Sequence, residues 1–170
     1  ITPVIKEKEH KINFGGLWHS DTAYEQTPPL GTMLYARQLP PYGGDTEFSN
    51  MYLAYETLSN GMRALLENLI AVNISGKGRV QDTRAPMRGK AATSAREDSF
   101  IAEHPVVRTH PETGRKSLYV NLAHTSHFKG MTVEESAPIL DYLFQHQVKP
   151  EFTCRVKWEV GTLTFWDNRC

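Results

Sequence analysis

Apolar residues in this chain fall into short runs that proline and glycine interrupt. Residues 32–39 read as a strand, with Met33, Leu34, Tyr35 and Leu39 apolar and Pro40-Pro41 as a stop. Pro41-Tyr42-Gly43-Gly44-Asp45 is a turn, and residues 46–49 form a further short strand. The period then becomes helical. Tyr52, Leu53, Tyr55 and Leu58 lie near one face, and Ser59 can cap a second helix carrying Met62, Leu65, Leu66 and Leu69. Residues 105–109 and 117–121 flank Pro111-Glu112-Thr113-Gly114, the pattern of a hairpin. Thr132-Val133-Glu134-Glu135 has capping-box spacing and opens a helix to residue 147, with Ile139, Leu140, Leu143 and Phe144 inward. Pro138 suits that helix only in its first turn. Residues 152–159 alternate, with Phe152, Cys154, Val156 and Trp158 on one face, and 162–166 form another strand after Gly161. The weak alternation of residues 1–12 fits an edge strand. Strands with a few appended helices predict a sandwich or jelly roll.

Residues 75–99 break the pattern. Lys77, Arg79, Arg84, Arg88, Lys90 and Arg96 outnumber Asp82, Glu97 and Asp98, and almost nothing there is apolar. A loop this long inside a domain is functional or disordered, and we expect a mobile lid. The whole chain of 170 residues carries 19 Lys+Arg against 19 Asp+Glu. That balance gives no general attraction to nucleic acid or to an anionic membrane. No apolar run has the length of a membrane span, and the sequence contains no signal-peptide pattern. Cys154 and Cys170 make no disulfide framework and are expected as reduced thiols of a cytoplasmic protein. There are no repeats and no linker, so one domain is expected over residues 1–170.

His19 and Asp21 are the sharpest chemical pair. Two residues apart on a strand, both side chains point to one side and can converge on one metal. An imidazole and a carboxylate so placed supply two of the three ligands of a facial triad on non-haem iron(II). His-x-Asp alone is a weak signal, because such pairs are common on surfaces and in cores. The surrounding sequence raises its value. Trp18-His19-Ser20-Asp21, Pro28-Pro29, Gly43-Gly44-Asp45-Thr46, His104-Pro105-Val106-Val107-Arg108-Thr109-His110-Pro111, Leu118-Tyr119-Val120-Asn121 and Trp166-Asp167-Asn168-Arg169 occur in this order. The series resembles the family that includes taurine dioxygenase and 2,4-dichlorophenoxyacetate dioxygenase, and it covers nearly the whole chain.

The resemblance implies a double-stranded β-helix (jelly roll) with flanking helices, incomplete at both ends in this chain. It implies an enzyme that uses Fe(2+), 2-oxoglutarate and O2 on a small-molecule substrate. His19 and Asp21 match the first two iron ligands, and Thr46 matches the residue whose hydroxyl bonds a carboxylate of 2-oxoglutarate. The third ligand, a His, and the Arg that pairs with the far carboxylate are expected after Cys170. The Arg residues before that point fit neither role. His124 follows the strand after which relatives place a substrate-facing aromatic, and Thr22 and Tyr24 follow the ligand pair; all three are substrate-pocket candidates. His104 and His110 are expected to be structural or exposed, and His10, His127 and His146 to lie on the surface. The implied reaction is hydroxylation of a sulfonate, a sulfate ester or an aryloxy acid, with C–S or C–O cleavage as the product falls apart. The alternatives are a non-catalytic jelly-roll binding module without a complete metal site, and a cupin-like enzyme with another metal. A homo-oligomer is compatible with either.

Overall fold

The computed structural model describes residues 3–7, 9, 13–75 and 100–170. The expected lid over residues 75–99 lies outside them except for Ser75, and so does His10. Among the described residues, nine strands and three α-helices run in the order β1 (Gly31–Tyr35), β2 (Thr46–Ser49), α1 (Met51–Glu56), α2 (Asn60–Leu66), β3 (Ile70–Ile74), β4 (Ile101–Pro105), β5 (Val107–Thr109), β6 (Lys116–Leu118), β7 (Thr125–Phe128), α3 (Val133–His146), β8 (Thr153–Val156) and β9 (Leu163–Asp167). The molecule is mainly strands with few helices. β1 pairs with β9, β2 with β8, β5 with β6, and β3 lies between β4 and β7; every pair is antiparallel.

The helices form for local reasons. The Asn50 side chain accepts from the amides of Tyr52 and Leu53, and Ser59 accepts from Met62 N. Thr132 and Glu135 complete the capping box of α3. That helix holds Pro138 in its second turn, not the first, so it forgoes one main-chain hydrogen bond there. Leu140 and Leu143 of α3 meet Tyr55 of α1, Leu58 just after it, Leu66 of α2, Ala71 of β3, Leu118 of β6 and Phe128 of β7 in one core.

Three strands were not legible from the pattern. Ile70, Ala71 and Val72 of β3 form a continuous apolar run right after a helix, which periodicity cannot separate from more helix. In β4 the inward residues are Ala102 and His104, and in β7 only Phe128 is large and apolar, so neither carries a hydrophobic signature. Residues 3–7 form no strand, contrary to the edge strand expected there. β1 ends at Tyr35 and β8 at Val156, both short of the expected lengths. Leu53 and Leu65, expected inward, are exposed, and His146, expected at the surface, is buried with Nε2 donating to the Ala54 carbonyl at 2.8 Å. His127 is half-buried.

In the β1–β9 ribbon the alternation separates two faces. Met33, Tyr35, Leu163 and Phe165 face outward, each more than half exposed. Thr32 and Trp166, opposite one another in the register, lie on the other face.

Two substitutions measure these contributions. Phe128→Ala, at a fully buried side chain, should cost about 3–5 kcal/mol. Thr132→Ala, which removes the α3 cap, should cost about 1 kcal/mol. Urea unfolding of the two variants against the parent reads both, and the reverse ranking would contradict this description of the core.

Candidate metal centre

The ligand pair forms in a way the sequence did not suggest. Residues 18–20 are irregular and residues 21–24 form a turn, so no strand aligns His19 with Asp21. The side chains still converge, with His19 Nε2 at 3.3 Å from Asp21 Oδ1. His19 Nδ1 donates to the Leu17 carbonyl at 2.7 Å, because a carbonyl only accepts. That bond fixes the ring and turns Nε2 toward the carboxylate. A nitrogen lone pair and a carboxylate oxygen this close repel unless a proton or a cation lies between them. The donor set, one imidazole nitrogen and one carboxylate oxygen, fits a divalent metal such as iron(II).

The neighbours of the pair come from distant parts of the chain. The Ala123 amide donates to the Trp18 carbonyl at 3.2 Å, and Ser20 Oγ donates to the Asn168 carbonyl at 2.8 Å. Thr32 Oγ1 donates to Asp21 Oδ2 at 2.5 Å. Burial pushes the Asp21 carboxyl up, but hydrogen bonds from His19, Thr32 and Asn168, with the charge on His19, outweigh it and hold the group below the usual carboxylate range. Thr22, next in sequence, has φ of 47°, a strained value for a β-branched residue. Its hydroxyl oxygen is buried with no hydrogen-bond partner among the described residues.

The structure brings most of the other candidates to this place. His124, 1% exposed, packs edge-on against Tyr24 at 4.9 Å between ring centroids and faces His19 at 6.4 Å. A buried polar chain sets its loop: Thr125 Oγ1 donates to Asn73 Oδ1 at 2.8 Å, and Asn121 Oδ1 accepts from the His124 amide at 2.8 Å. Thr46 stands apart on β2, where its hydroxyl accepts from Trp158 Nε1 at 3.0 Å. A cleft of about 340 Å³ lined by Pro40, Tyr42, Asp45, Lys157 and Trp158 borders it and includes neither His19 nor Asp21. The link from β2 to the metal pair runs through Phe48, whose ring lies 5.1 Å from that of Trp166.

Among the described residues, the three-membered ligand cluster is elsewhere: His110, Asp167 and Cys170 offer ligand atoms within 4.8 Å of one another. It is already electrically satisfied. Arg169 Nη2 sits 2.6 Å from Asp167 Oδ2 and 3.1 Å from Glu112, and the guanidinium holds the Asp167 carboxyl far below the usual range. His110 Nε2 adds a contact of 3.1 Å to the same oxygen. Arg169 is thus committed to Asp167. Sequence reasoning did not find Thr32, which carried no signal, or the parts played by Trp166 and Asn168, which it saw only as members of a motif.

A mainly stranded fold carries a convergent imidazole–carboxylate pair at an irregular segment and the turn that follows it, and comparison with known proteins settles the family. Residues 3–170 match the family of taurine catabolism dioxygenase TauD and TfdA, so the chain belongs to the TauD/TfdA family. It is 38% identical over 156 residues to the alpha-ketoglutarate-dependent 2,4-dichlorophenoxyacetate dioxygenase of Burkholderia sp. strain RASC, covering 91% of this chain and 50% of that protein. A crystal structure of a taurine dioxygenase from Burkholderia xenovorans superposes with a TM-score of 0.75 at 37% identity, over 93% of this chain and 49% of that one. AAD-2, solved in complex with Mn(II) and N-oxalylglycine, gives a TM-score of 0.75 at 34% identity, over 90% and 59% of the two chains. The chain therefore spans about half the length of the relatives it matches.

One neighbour of the site reports on pH. His104 donates from Nε2 to the Glu25 carbonyl at 2.9 Å, four residues past Asp21. Burial, opposed by that hydrogen bond and aided by the Arg108 charge, holds His104 below its ordinary value of 6.5. Below that value the unfolded chain takes up a proton that the folded chain resists, so stability falls with falling pH. The urea midpoint of the parent should drop more between about pH 7.5 and about pH 5.5 than that of His104→Gln. An equal drop in both would contradict the assignment.

Proposed function

We propose that the complete protein is an iron(II)- and 2-oxoglutarate-dependent dioxygenase, and that this chain is part of its single double-stranded β-helix (jelly-roll) domain. The observation that carries the reading is the 3.3 Å approach of His19 Nε2 to Asp21 Oδ1, with the second oxygen of Asp21 tied back by Thr32. Family membership supports it. His19 and Asp21 would hold the metal. When bound, iron with O2 and 2-oxoglutarate supplies the oxidising power for C–H hydroxylation, with succinate and CO2 as by-products.

The residues of this chain have the remaining tasks. Thr46 binds a carboxylate of 2-oxoglutarate. Its hydroxyl oxygen already accepts from the Trp158 indole, which has no acceptor of its own, so the hydroxyl proton is left to donate. Thr22, Tyr24 and His124 line the substrate side. The buried Thr22 hydroxyl and the edge-on packing of Tyr24 and His124 beside His19 support that placement. The substrate is a small organic acid of the sulfonate, sulfate ester or aryloxy acid class, cleaved at C–S or C–O after hydroxylation. We assign the enzyme to the cytoplasm, which the two free cysteines support, Cys154 being exposed. Among the described residues no helix is long and apolar enough to cross a membrane.

The test is succinate release by the complete protein with iron(II), 2-oxoglutarate and O2 across a panel of sulfonates, sulfate esters and aryloxy acids. We expect at least one substrate to stimulate succinate release, and His19→Ala and Asp21→Ala each to reduce it to background. No stimulation across the panel, or full activity in either variant, would overturn the reading.

A further inference from the structure

Asp21 lies at the end of a one-way hydrogen-bond chain that crosses the β1–β9 ribbon. The indole of Trp166 can only donate, and its Nε1 lies 3.0 Å from Asn168 Oδ1. That contact fixes the amide, so Asn168 Nδ2 is the atom that donates to Thr32 Oγ1, at 2.9 Å. Thr32 has then accepted one bond and holds a single proton, which goes to Asp21 Oδ2 at 2.5 Å. Each member is also fixed by the main chain. Thr32 and Trp166 are register partners, and the Asn168 amide donates to the Leu30 carbonyl at 2.9 Å.

We propose that Thr32 is a positioning residue for the metal, oriented by Asn168 and Trp166, and that its hydroxyl reserves Asp21 Oδ1 as a single-oxygen ligand. The inference rests on the reading of His19 and Asp21 as metal ligands. A carboxylate with both oxygens available can turn to bind a cation through both. With Oδ2 held by Thr32, only Oδ1 faces His19 Nε2, so Asp21 would offer a metal one oxygen and not two. Such outer partners raise metal affinity and set ligand orientation. Because the donors run from the indole outward, the chain cannot reverse to leave Oδ2 facing a lone pair.

Anaerobic titration of the complete protein with cobalt(II), read by the visible ligand-field spectrum, tests the proposal. Thr32→Val keeps the β-branched shape but removes the hydroxyl, and Thr32→Ser restores it. We expect Thr32→Val to weaken cobalt binding about 10–100-fold and to change the spectrum, with the metal-free melting temperature unchanged. Thr32→Ser should return affinity and spectrum to the parental ones, a rescue that a purely structural role of the methyl group would not produce. Parental affinity and spectrum in Thr32→Val, with binding lost in Asp21→Ala, would overturn the positioning role and leave the ligand reading intact. Parental binding in Asp21→Ala would overturn the ligand reading itself. If Thr32→Val lowers the melting temperature, Trp166→Phe decides: it removes the indole N–H while keeping an aromatic ring beside Phe48, and unchanged cobalt affinity there would overturn the relay.

Discussion

Antiparallel pairing of β1 with β9 joins Thr32 to Asn168, 136 residues apart, at the place where the Asp21 carboxylate is held. The rest of the site depends on that closure. The Asp21 turn has no regular structure of its own and is kept in place by contacts from outside it. Thr32 holds its carboxylate, the Asn168 carbonyl takes Ser20 Oγ, Ala123 bonds the Trp18 carbonyl, and His104 bonds the Glu25 carbonyl. A ligand pair on an irregular segment stays preorganised only when its orientation is imposed in this way.

The same segment explains why two clusters of similar composition have different uses. Asp167, at the end of β9, sits between His110 and Arg169, so its charge is neutralised by a guanidinium on its own strand end. Among the described residues Asp21 has no Arg or Lys ion pair; its partners are an imidazole, a hydroxyl and an amide. Hydroxyl and amide donors leave a carboxylate its charge, which a divalent cation can use, whereas a bidentate guanidinium consumes it. The Asp167 cluster therefore anchors the hairpin of β5 and β6 to β9, while the Asp21 pair is the one suited to a metal.

Much of this was legible in the sequence, and the failures have physical causes. The caps at Asn50, Ser59 and Thr132 lie beside the helices they start, and local signals of that kind survive into the fold. Of these, Ser59 and the Thr132 capping box were readable from residue type and spacing alone. His19 and Asp21 were singled out by spacing as candidate ligands, but their convergence comes from an irregular segment that runs into a turn containing the strained Thr22, not from strand alternation. Strands β3, β4 and β7 were missed because burial on both faces, or small and polar inward residues, erases the period of two. His110 and His146 are buried because their rings bond to Asp167 and the Ala54 carbonyl, partners that no local pattern reveals. Thr32 was invisible for the same reason, since its part depends on register with a strand at the far end of the chain.

The central claim is that His19 and Asp21 together are the metal-binding pair of this chain. A crystal structure of the complete protein grown with manganese(II), with the metal located by its anomalous scattering, addresses it most directly. One strong peak is expected, bonded to His19 Nε2 and Asp21 Oδ1, with Asp21 Oδ2 still on the Thr32 hydroxyl. A peak at His110, Asp167 and Cys170 with none at His19 would contradict it.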